Sequence, residues 1–137
     1  MRVIFADTVY WIAINNPRDA LHRSAVEAPS RLGDHRIVTS EMVLVEVLNS
    51  FSGEGSYSRH AVVSLVQRII DDEDFELVPQ TPQLFRAALA LYRDRPDKSW
   101  SLTDCASFLI MEQRQMTEAL THDRHFEQRG YSALLRD

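Results

Sequence analysis

The sequence predicts an α/β fold built around a mainly parallel sheet. Five short β-rich runs alternate with helical segments along the 137 residues, which is typical of βαβ units. The apolar fraction of 45% indicates a globular chain. The length suits a single domain, residues 1–137, with one core.

The strands are predicted from runs of β-branched and aromatic residues that end at turn residues. The first run ends directly before Asp7, and Pro79 ends the third. The predicted strands are residues 2–6, 36–39, 75–78 and 118–121, with a last edge strand at 131–135.

The helices are predicted from capping residues and from apolar periodicity. The clearest periodicity runs from Val62 to Ile70, where apolar residues recur on one helix face. Four further helices are predicted to start at caps, namely Asp19, Ser40, Thr81 and Ser101. The predicted helices cover residues 9–15, 19–28, 41–51, a segment around 62–70, 82–92 and 101–113, with a loop or short helix at 123–129.

Four acidic residues lie in or beside the apolar stretches of these elements: Asp7, Glu46, Asp104 and Asp123. Because ligands of open α/β sheets bind at the carboxyl ends of the strands, we expect the four carboxylates to meet there. A group of uncompensated carboxylates requires a cation, and a hard divalent ion such as Mg²⁺ or Mn²⁺ suits oxygen ligands. The pattern therefore predicts a metal-dependent enzyme that acts on phosphate esters.

Each acidic residue also has a purely structural interpretation. Asp7 and Asp123 can cap helices, and Asp104 completes a capping box with Ser101. Glu46 can face solvent on a half-buried helix, although the apolar residues around it make this interpretation the weakest of the four. Thr8 is next to Asp7, and Thr103 is next to Asp104. Each can either cap a helix or orient the adjacent carboxylate and contact phosphate.

The composition leaves the substrate open but indicates the compartment. With 20 acidic residues against 15 Lys and Arg, the net charge is −5; without the four site acids it would be 16 against 15, or −1. Bulk charge therefore does not exclude RNA. The single cysteine, Cys105, permits no intramolecular disulfide, and neither a signal peptide nor a membrane helix is evident. We expect a soluble cytoplasmic protein.

Four motifs in order carry a resemblance to a known family. They are Phe5-Ala6-Asp7-Thr8, the segment from Ser40 to Leu48 around Glu46, Ser101-Leu102-Thr103-Asp104, and Thr121-His122-Asp123-Arg124-His125-Phe126, with Gly130-Tyr131 at the end. At these spacings the chain resembles the PIN domain family along essentially its whole length.

The resemblance implies a three-layer α/β/α fold with a five-stranded parallel sheet of order 3-2-1-4-5. It implies an endoribonuclease in which Asp7, Glu46, Asp104 and Asp123 bind Mg²⁺ or Mn²⁺. Small members of this family are mostly VapC-type toxins, which form homodimers and are inhibited by a cognate antitoxin. Thr8 and Thr121 match positions that are often polar in the family.

Other interpretations remain open at this point. A haloacid-dehalogenase-like phosphatase would need a second Asp where Val9 stands, and a response-regulator receiver would need an acidic pair and a late lysine. A non-catalytic module that binds RNA or protein would be expected to lack the acids. A housekeeping RNA-processing nuclease of the same family is not distinguished from a toxin by sequence.

A few further residues are candidates for contact with RNA. Arg124 can contact phosphate, and Trp100, in a predicted loop, can stack on a base. The pair His122 and His125 lies beside Asp123, but without a cysteine or a third histidine nearby it is interpreted as surface histidine and not as a zinc site.

Overall fold

Five parallel strands form the centre of the computed structural model, which describes residues 1–136. The strands are β1 (Arg2–Ala6), β2 (His35–Ser40), β3 (Phe75–Val78), β4 (Glu118–Leu120) and β5 (Ser132–Ala133). Their order is β3-β2-β1-β4-β5, and each adjacent pair is parallel, which confirms the expected topology. Strands β2 and β3 lie on one side of β1, and strands β4 and β5 lie on the other.

Helices connect the strands and cover the sheet. Within residues 1–136 they are α1 (Thr8–Asn15), α2 (His22–Glu27), α3 (Glu41–Ser50), α4 (Ser56–Asp71), α5 (Pro82–Asp94), α6 (Leu102–Gln113) and α7 (Arg124–Gln128), with a 3₁₀ turn at Ala28–Arg31. Helix α1 contacts α2, α3 and α4, whereas α5 packs along α6. The result is the three-layer α/β/α fold that the sequence resemblance implied. None of the helices in the described residues is both long and apolar enough to cross a membrane.

The core is most fully buried where β1 ends. Ile4, Phe5 and Ala6 have no exposed surface, as expected for a central strand of a parallel sheet that is covered on both faces. Phe5 packs against Phe126 of α7, and Phe126 packs edge-on against Phe108 of α6. These aromatic contacts hold the starts of α6 and α7 near the carboxyl end of β1.

Three of the predicted helix caps are confirmed. Ser40 Oγ accepts a hydrogen bond from the backbone NH of Val43 at 3.1 Å, and this bond caps α3. Thr81 caps α5 in the same way at 3.0 Å. Ser101 and Asp104 form both hydrogen bonds of the predicted capping box at the start of α6.

The start of α2 was predicted three residues too early. Asp19 does not cap this helix, because its Oδ1 accepts a hydrogen bond from the NH of Leu21 at 2.8 Å and so forms a turn. The helix begins only at His22 and tightens into the 3₁₀ turn at Ala28–Arg31, which contains Pro29.

The last strand is shorter than predicted, two residues instead of five. The NH of Tyr131 bonds back to the carbonyl of Phe126, and the NH of Leu135 bonds to Thr121, which lies beyond the end of β4. Because of these bonds, the two ends of the predicted strand do not pair with β4, and only Ser132 and Ala133 do.

Trp100 is a core residue, so the hypothesis that it stacks on RNA bases is wrong. It is 4% exposed, and its Nε1 donates a hydrogen bond to Gln128 Oε1 at 3.0 Å. The guanidinium groups of Arg95 and Arg129 lie 5.0 and 5.7 Å from its ring centroid. Trp100 therefore anchors the loop before α6 against α7.

Candidate functional site

Asp7 and Thr121 lie side by side at the carboxyl ends of β1 and β4. Ala6 is opposite Leu120 in the register, and the NH of Asp7 donates to the carbonyl of Leu120 at 3.2 Å. Thr121 Oγ1 donates to Asp7 Oδ2 at 2.9 Å and accepts from the NH of Asp123 at 3.0 Å. One buried hydroxyl thus connects two of the predicted site acids.

Asp104, Asp123 and His125 form the tightest cluster at this edge of the sheet. Nδ1 of His125 lies 3.0 Å from Asp104 Oδ2 and 3.2 Å from Asp123 Oδ1. One oxygen of each carboxylate and one ring nitrogen all lie within 4.8 Å of one another. The side chains of Asp104, Asp123 and His125 are 10%, 28% and 22% exposed, so the cluster borders the core and is reached from solvent.

Glu46 reaches the site from α3 and is joined to it through Thr8. Thr8 Oγ1 donates to Glu46 Oε1 at 2.7 Å. Thr8 is buried directly after Asp7, and Glu46 is half-buried. Among residues 1–136, Glu46 is not part of the cluster of possible metal ligands. The structure therefore places the fourth acid beside the Asp7 segment and not against Asp104 and Asp123.

Three of the four acids lie at helix N-termini, where unpaired backbone NH groups favour negative charge. Asp123 caps α7 by accepting from the NH of His125 at 2.9 Å, and Asp104 accepts from the NH of Ser101 at 3.0 Å. Asp7 stands at the N-cap position of α1, but its side chain accepts no capping hydrogen bond. Helix capping therefore explains in part why Asp104 and Asp123 occupy these positions, but it does not explain the position of Asp7.

Burial makes the charged form of Asp7 unfavourable. The residue is 4% exposed, and burial is the main reason that its pKa rises from 3.8 to about 7. The backbone NH of Thr8 and the hydroxyl of Thr121 lower this pKa, whereas the negative charges of Asp104 and Asp123 raise it.

The pKa of Asp104 is also raised, and burial is again the main cause. The negative charge of Asp123 adds to this effect, while hydrogen bonds from Ser101 and His125 oppose it. Asp7 and Asp104 therefore both hold their protons more tightly than usual, mainly because burial disfavours their charged forms.

The donor set fits a divalent cation. In the described part of the chain, no lysine or arginine forms an ion pair with Asp7, Glu46, Asp104 or Asp123, and the basic side chain beside the last two is that of His125. Carboxylate oxygens are the usual protein ligands of Mg²⁺ and Mn²⁺, and an imidazole nitrogen suits first-row transition ions. A cation would stabilise the charged forms of Asp7 and Asp104, which burial and the neighbouring carboxylates disfavour.

The roles of the two remaining predicted residues, Thr103 and Arg124, are less definite. Thr103 is buried in the first turn of α6, where its carbonyl accepts a hydrogen bond from Ser107 Oγ at 2.8 Å. Arg124 is exposed at the first position of α7, next to Asp123. Their contacts with substrate stay predictions.

The inward position of His125 was not predicted from the sequence, because the pair His122 and His125 was interpreted as surface histidine and not as a metal site. His122 is exposed, as expected, but His125 turns inward against two carboxylates. Its position two residues after Asp123 could have indicated this. In the first turn of a helix, such a residue lies close to the carboxylate that caps the helix.

A family model described as the PIN domain matches residues 4–130. The chain belongs to the PIN domain family. The matched range contains Asp7, Glu46, Asp104, Asp123 and His125. No curated protein sequence matches the chain significantly.

Solved structures share the fold of this PIN domain. VapC20 from Mycobacterium tuberculosis, described as a sarcin-ricin loop cleaving toxin, is 23% identical with a TM-score of 0.83; the match covers 93% of this chain and 95% of that one. VapBC2 from Rickettsia felis, solved with a DNA fragment from its promoter, is 13% identical with a TM-score of 0.64 and 96% coverage of both chains. FitAcB from Neisseria gonorrhoeae is 16% identical with a TM-score of 0.62 and 95% coverage of both.

Proposed function

We propose that this PIN domain, residues 1–137, is a metal-dependent endoribonuclease that hydrolyses RNA phosphodiester bonds. The observation that carries the proposal is the convergence of Asp7, Asp104 and Asp123, from three separate segments, at the switch point of a parallel sheet. No lysine or arginine of the described residues pairs with them. Family membership and the RNA-cleaving activity named for VapC20 support RNA as the substrate.

In this proposal Asp7, Glu46, Asp104 and Asp123 hold Mg²⁺ or Mn²⁺. The chemistry that such an ion supplies is neutralisation of charge on the scissile phosphate and a lower pKa for the attacking water. Thr121 orients Asp7 and the start of the Asp123 segment through the hydrogen bonds described above. Thr8 orients Glu46 in the same way. Arg124, which is exposed and next to Asp123 in the chain, would bind a phosphate of the RNA in this proposal.

We further propose that the protein is the toxin of a type II toxin–antitoxin pair. The sequence resemblance to VapC-type members and the TM-score of 0.83 to a named VapC toxin support this role. It implies a cytoplasmic homodimer that a cognate antitoxin inhibits.

Cleavage assays on defined RNA test the nuclease. Purified protein is expected to cut RNA with Mn²⁺ or Mg²⁺ and to stop when the ion is chelated. Asp7→Asn and Asp104→Asn should lose activity while keeping the circular dichroism spectrum of the wild type. Asp74→Asn, which changes an exposed acid elsewhere, is the matched control. Full activity of the Asp7→Asn, Asp104→Asn double variant would refute the assignment.

Expression in growing cells separates a toxin from a housekeeping nuclease. A toxin is expected to arrest growth, and co-expression of a short neighbouring reading frame should relieve the arrest. Normal growth with active protein would favour the housekeeping role. Absence of both cleavage and ion binding would favour a non-catalytic module.

A further inference from the structure

We propose that His125 is a nitrogen ligand of the cation held by Asp104 and Asp123, and that it shifts the preference of the site from Mg²⁺ towards Mn²⁺. The inference deepens the proposed function and rests on its metal dependence. It concerns a residue outside the four acids that the family resemblance assigned to the ion.

The distances within the cluster match those between neighbouring ligands of one ion. In an octahedral site with bonds of about 2.1 Å, adjacent ligand atoms are about 3.0 Å apart. Nδ1 of His125 lies 3.0 Å from Asp104 Oδ2 and 3.2 Å from Asp123 Oδ1. Nδ1 therefore has the spacing of an adjacent ligand from each of the two carboxylate oxygens, and ligand atoms of the three residues lie within 4.8 Å of one another.

The backbone fixes the imidazole in this place. The NH of His125 is bonded to Asp123 Oδ1 at 2.9 Å in the first turn of α7. The next residue, Phe126, is fully buried between Phe5 and Phe108, so the helix is anchored immediately after the histidine. The ring is 22% exposed, which leaves it accessible to an ion from solvent. A ligand on an anchored helix start needs little reordering when the ion binds.

The imidazole presents Nδ1 to both carboxylates, since this nitrogen lies within 3.2 Å of an oxygen of each. In the neutral tautomer with the proton on Nε2, the lone pair of Nδ1 is available to a cation. The nitrogen that faces Asp104 and Asp123 is therefore the one that would bind the ion.

The nitrogen changes which ion is preferred. Mg²⁺ is a hard cation that takes oxygen ligands, whereas imidazole nitrogen favours first-row transition ions. A site made of Asp104, Asp123 and His125 is therefore expected to bind Mn²⁺ more tightly than a site of carboxylates alone would, relative to Mg²⁺.

Calorimetric titration and electron paramagnetic resonance test the inference on the purified full chain. Wild-type protein, His125→Ala and His125→Asp are titrated with Mn²⁺ and with Mg²⁺. Loss of the imidazole in His125→Ala should weaken Mn²⁺ binding at least about tenfold. His125→Asp restores an oxygen ligand, so it should bind Mg²⁺ while the ratio of Mn²⁺ to Mg²⁺ affinity falls. His122→Ala, which changes an exposed histidine three residues away, should match the wild type.

The Mn²⁺-loaded protein provides a direct readout. Electron spin echo measurements should show coupling to an imidazole nitrogen in the wild type and in His122→Ala, and none in His125→Ala. Mn²⁺ binding without this coupling would overturn the role of His125 and leave the proposed nuclease standing. Failure of the wild type to bind any divalent ion would overturn both.

Discussion

At the scale of single residues, the main feature is that Asp7 is buried without a basic partner. It is 4% exposed, and the hydroxyl of Thr121 donates a hydrogen bond to its Oδ2 at 2.9 Å. A pKa of about 7 means that the folded, metal-free protein binds a proton here that the unfolded chain would release near 3.8. Ionised Asp7 is therefore unfavourable in the folded protein unless a cation pairs with it.

The first prediction concerns Asp7→Asn and pH. Because the pKa in the folded state is raised, the contribution of Asp7 to stability is greatest below about pH 4 and is lost as the pH rises through about 7. At 1.36 kcal/mol per pH unit, the loss is at most about 4 kcal/mol. In urea unfolding with a chelator, the wild type should lose stability between about pH 4 and 7, and Asp7→Asn should lose markedly less. Parallel pH profiles would contradict this account.

The second prediction concerns the hydroxyl of Thr121. Thr121→Val keeps the shape of the side chain but removes the bonds to Asp7 Oδ2 and to the NH of Asp123. We expect RNA cleavage and Mn²⁺ affinity to fall by roughly 10- to 100-fold, as for other groups that orient metal ligands. Thr121→Ser, which retains the hydroxyl, should recover most of the loss. Thr117→Val, at an exposed position before β4, is the control.

At the scale of elements, the starts of α1, α6 and α7 bring three of the acids to one edge of the sheet. Asp104 has two roles there, because it closes the capping box with Ser101 and also contacts His125. The same carboxylate thus stabilises the start of α6 and belongs to the site, so a change in the capping box is expected to change its orientation.

The third prediction separates these two roles. Ser101→Ala and Thr81→Ala each remove the side chain that caps a helix, α6 and α5 respectively. Both should reduce the free energy of unfolding by about 1 kcal/mol. Only Ser101→Ala should also weaken Mn²⁺ binding, because only α6 carries a site acid in its first turn. Equal Mn²⁺ affinities for the two variants in calorimetry would show that the capping box does not position Asp104.

At the scale of the whole molecule, the acidic net charge of −5 includes the four acids of the site. An ion that binds the folded state and not the unfolded chain stabilises the whole domain by linkage. Ion binding at the site is thereby connected to global stability, and not only to activity.

The fourth prediction follows from this linkage. With free Mn²⁺ at about 100 times its Kd, the gain is about 2.7 kcal/mol, which corresponds to a rise of several degrees in Tm. The measurement is differential scanning calorimetry with and without Mn²⁺. Asp104→Asn should remove most of the rise, while Asp74→Asn should retain it. An equal rise in both variants would place the stabilising ion elsewhere.

Much of the fold was predictable because its signals are local. Capping residues and apolar periodicity correctly gave α3, α5 and α6, and the alternation of strands and helices gave the parallel sheet. The start of α2 and the length of β5 were not predicted correctly. In both cases a backbone NH donates to a partner outside the helix or the β-ladder and so sets the boundary: that of Leu21 bonds to Asp19 Oδ1, and that of Leu135 bonds to the carbonyl of Thr121.

The sequence by itself determined the four acidic motifs, their order and the family to which the chain is similar, since these depend on residue types and spacing. Only the tertiary structure decided which groups meet. It joined Asp7 to Asp123 through Thr121, linked Glu46 to Thr8, and turned His125 towards Asp104, across 21 residues of chain. The physical reason is that side-chain contacts between strands β1 and β4 and helices α6 and α7 depend on register and packing, which no local pattern encodes.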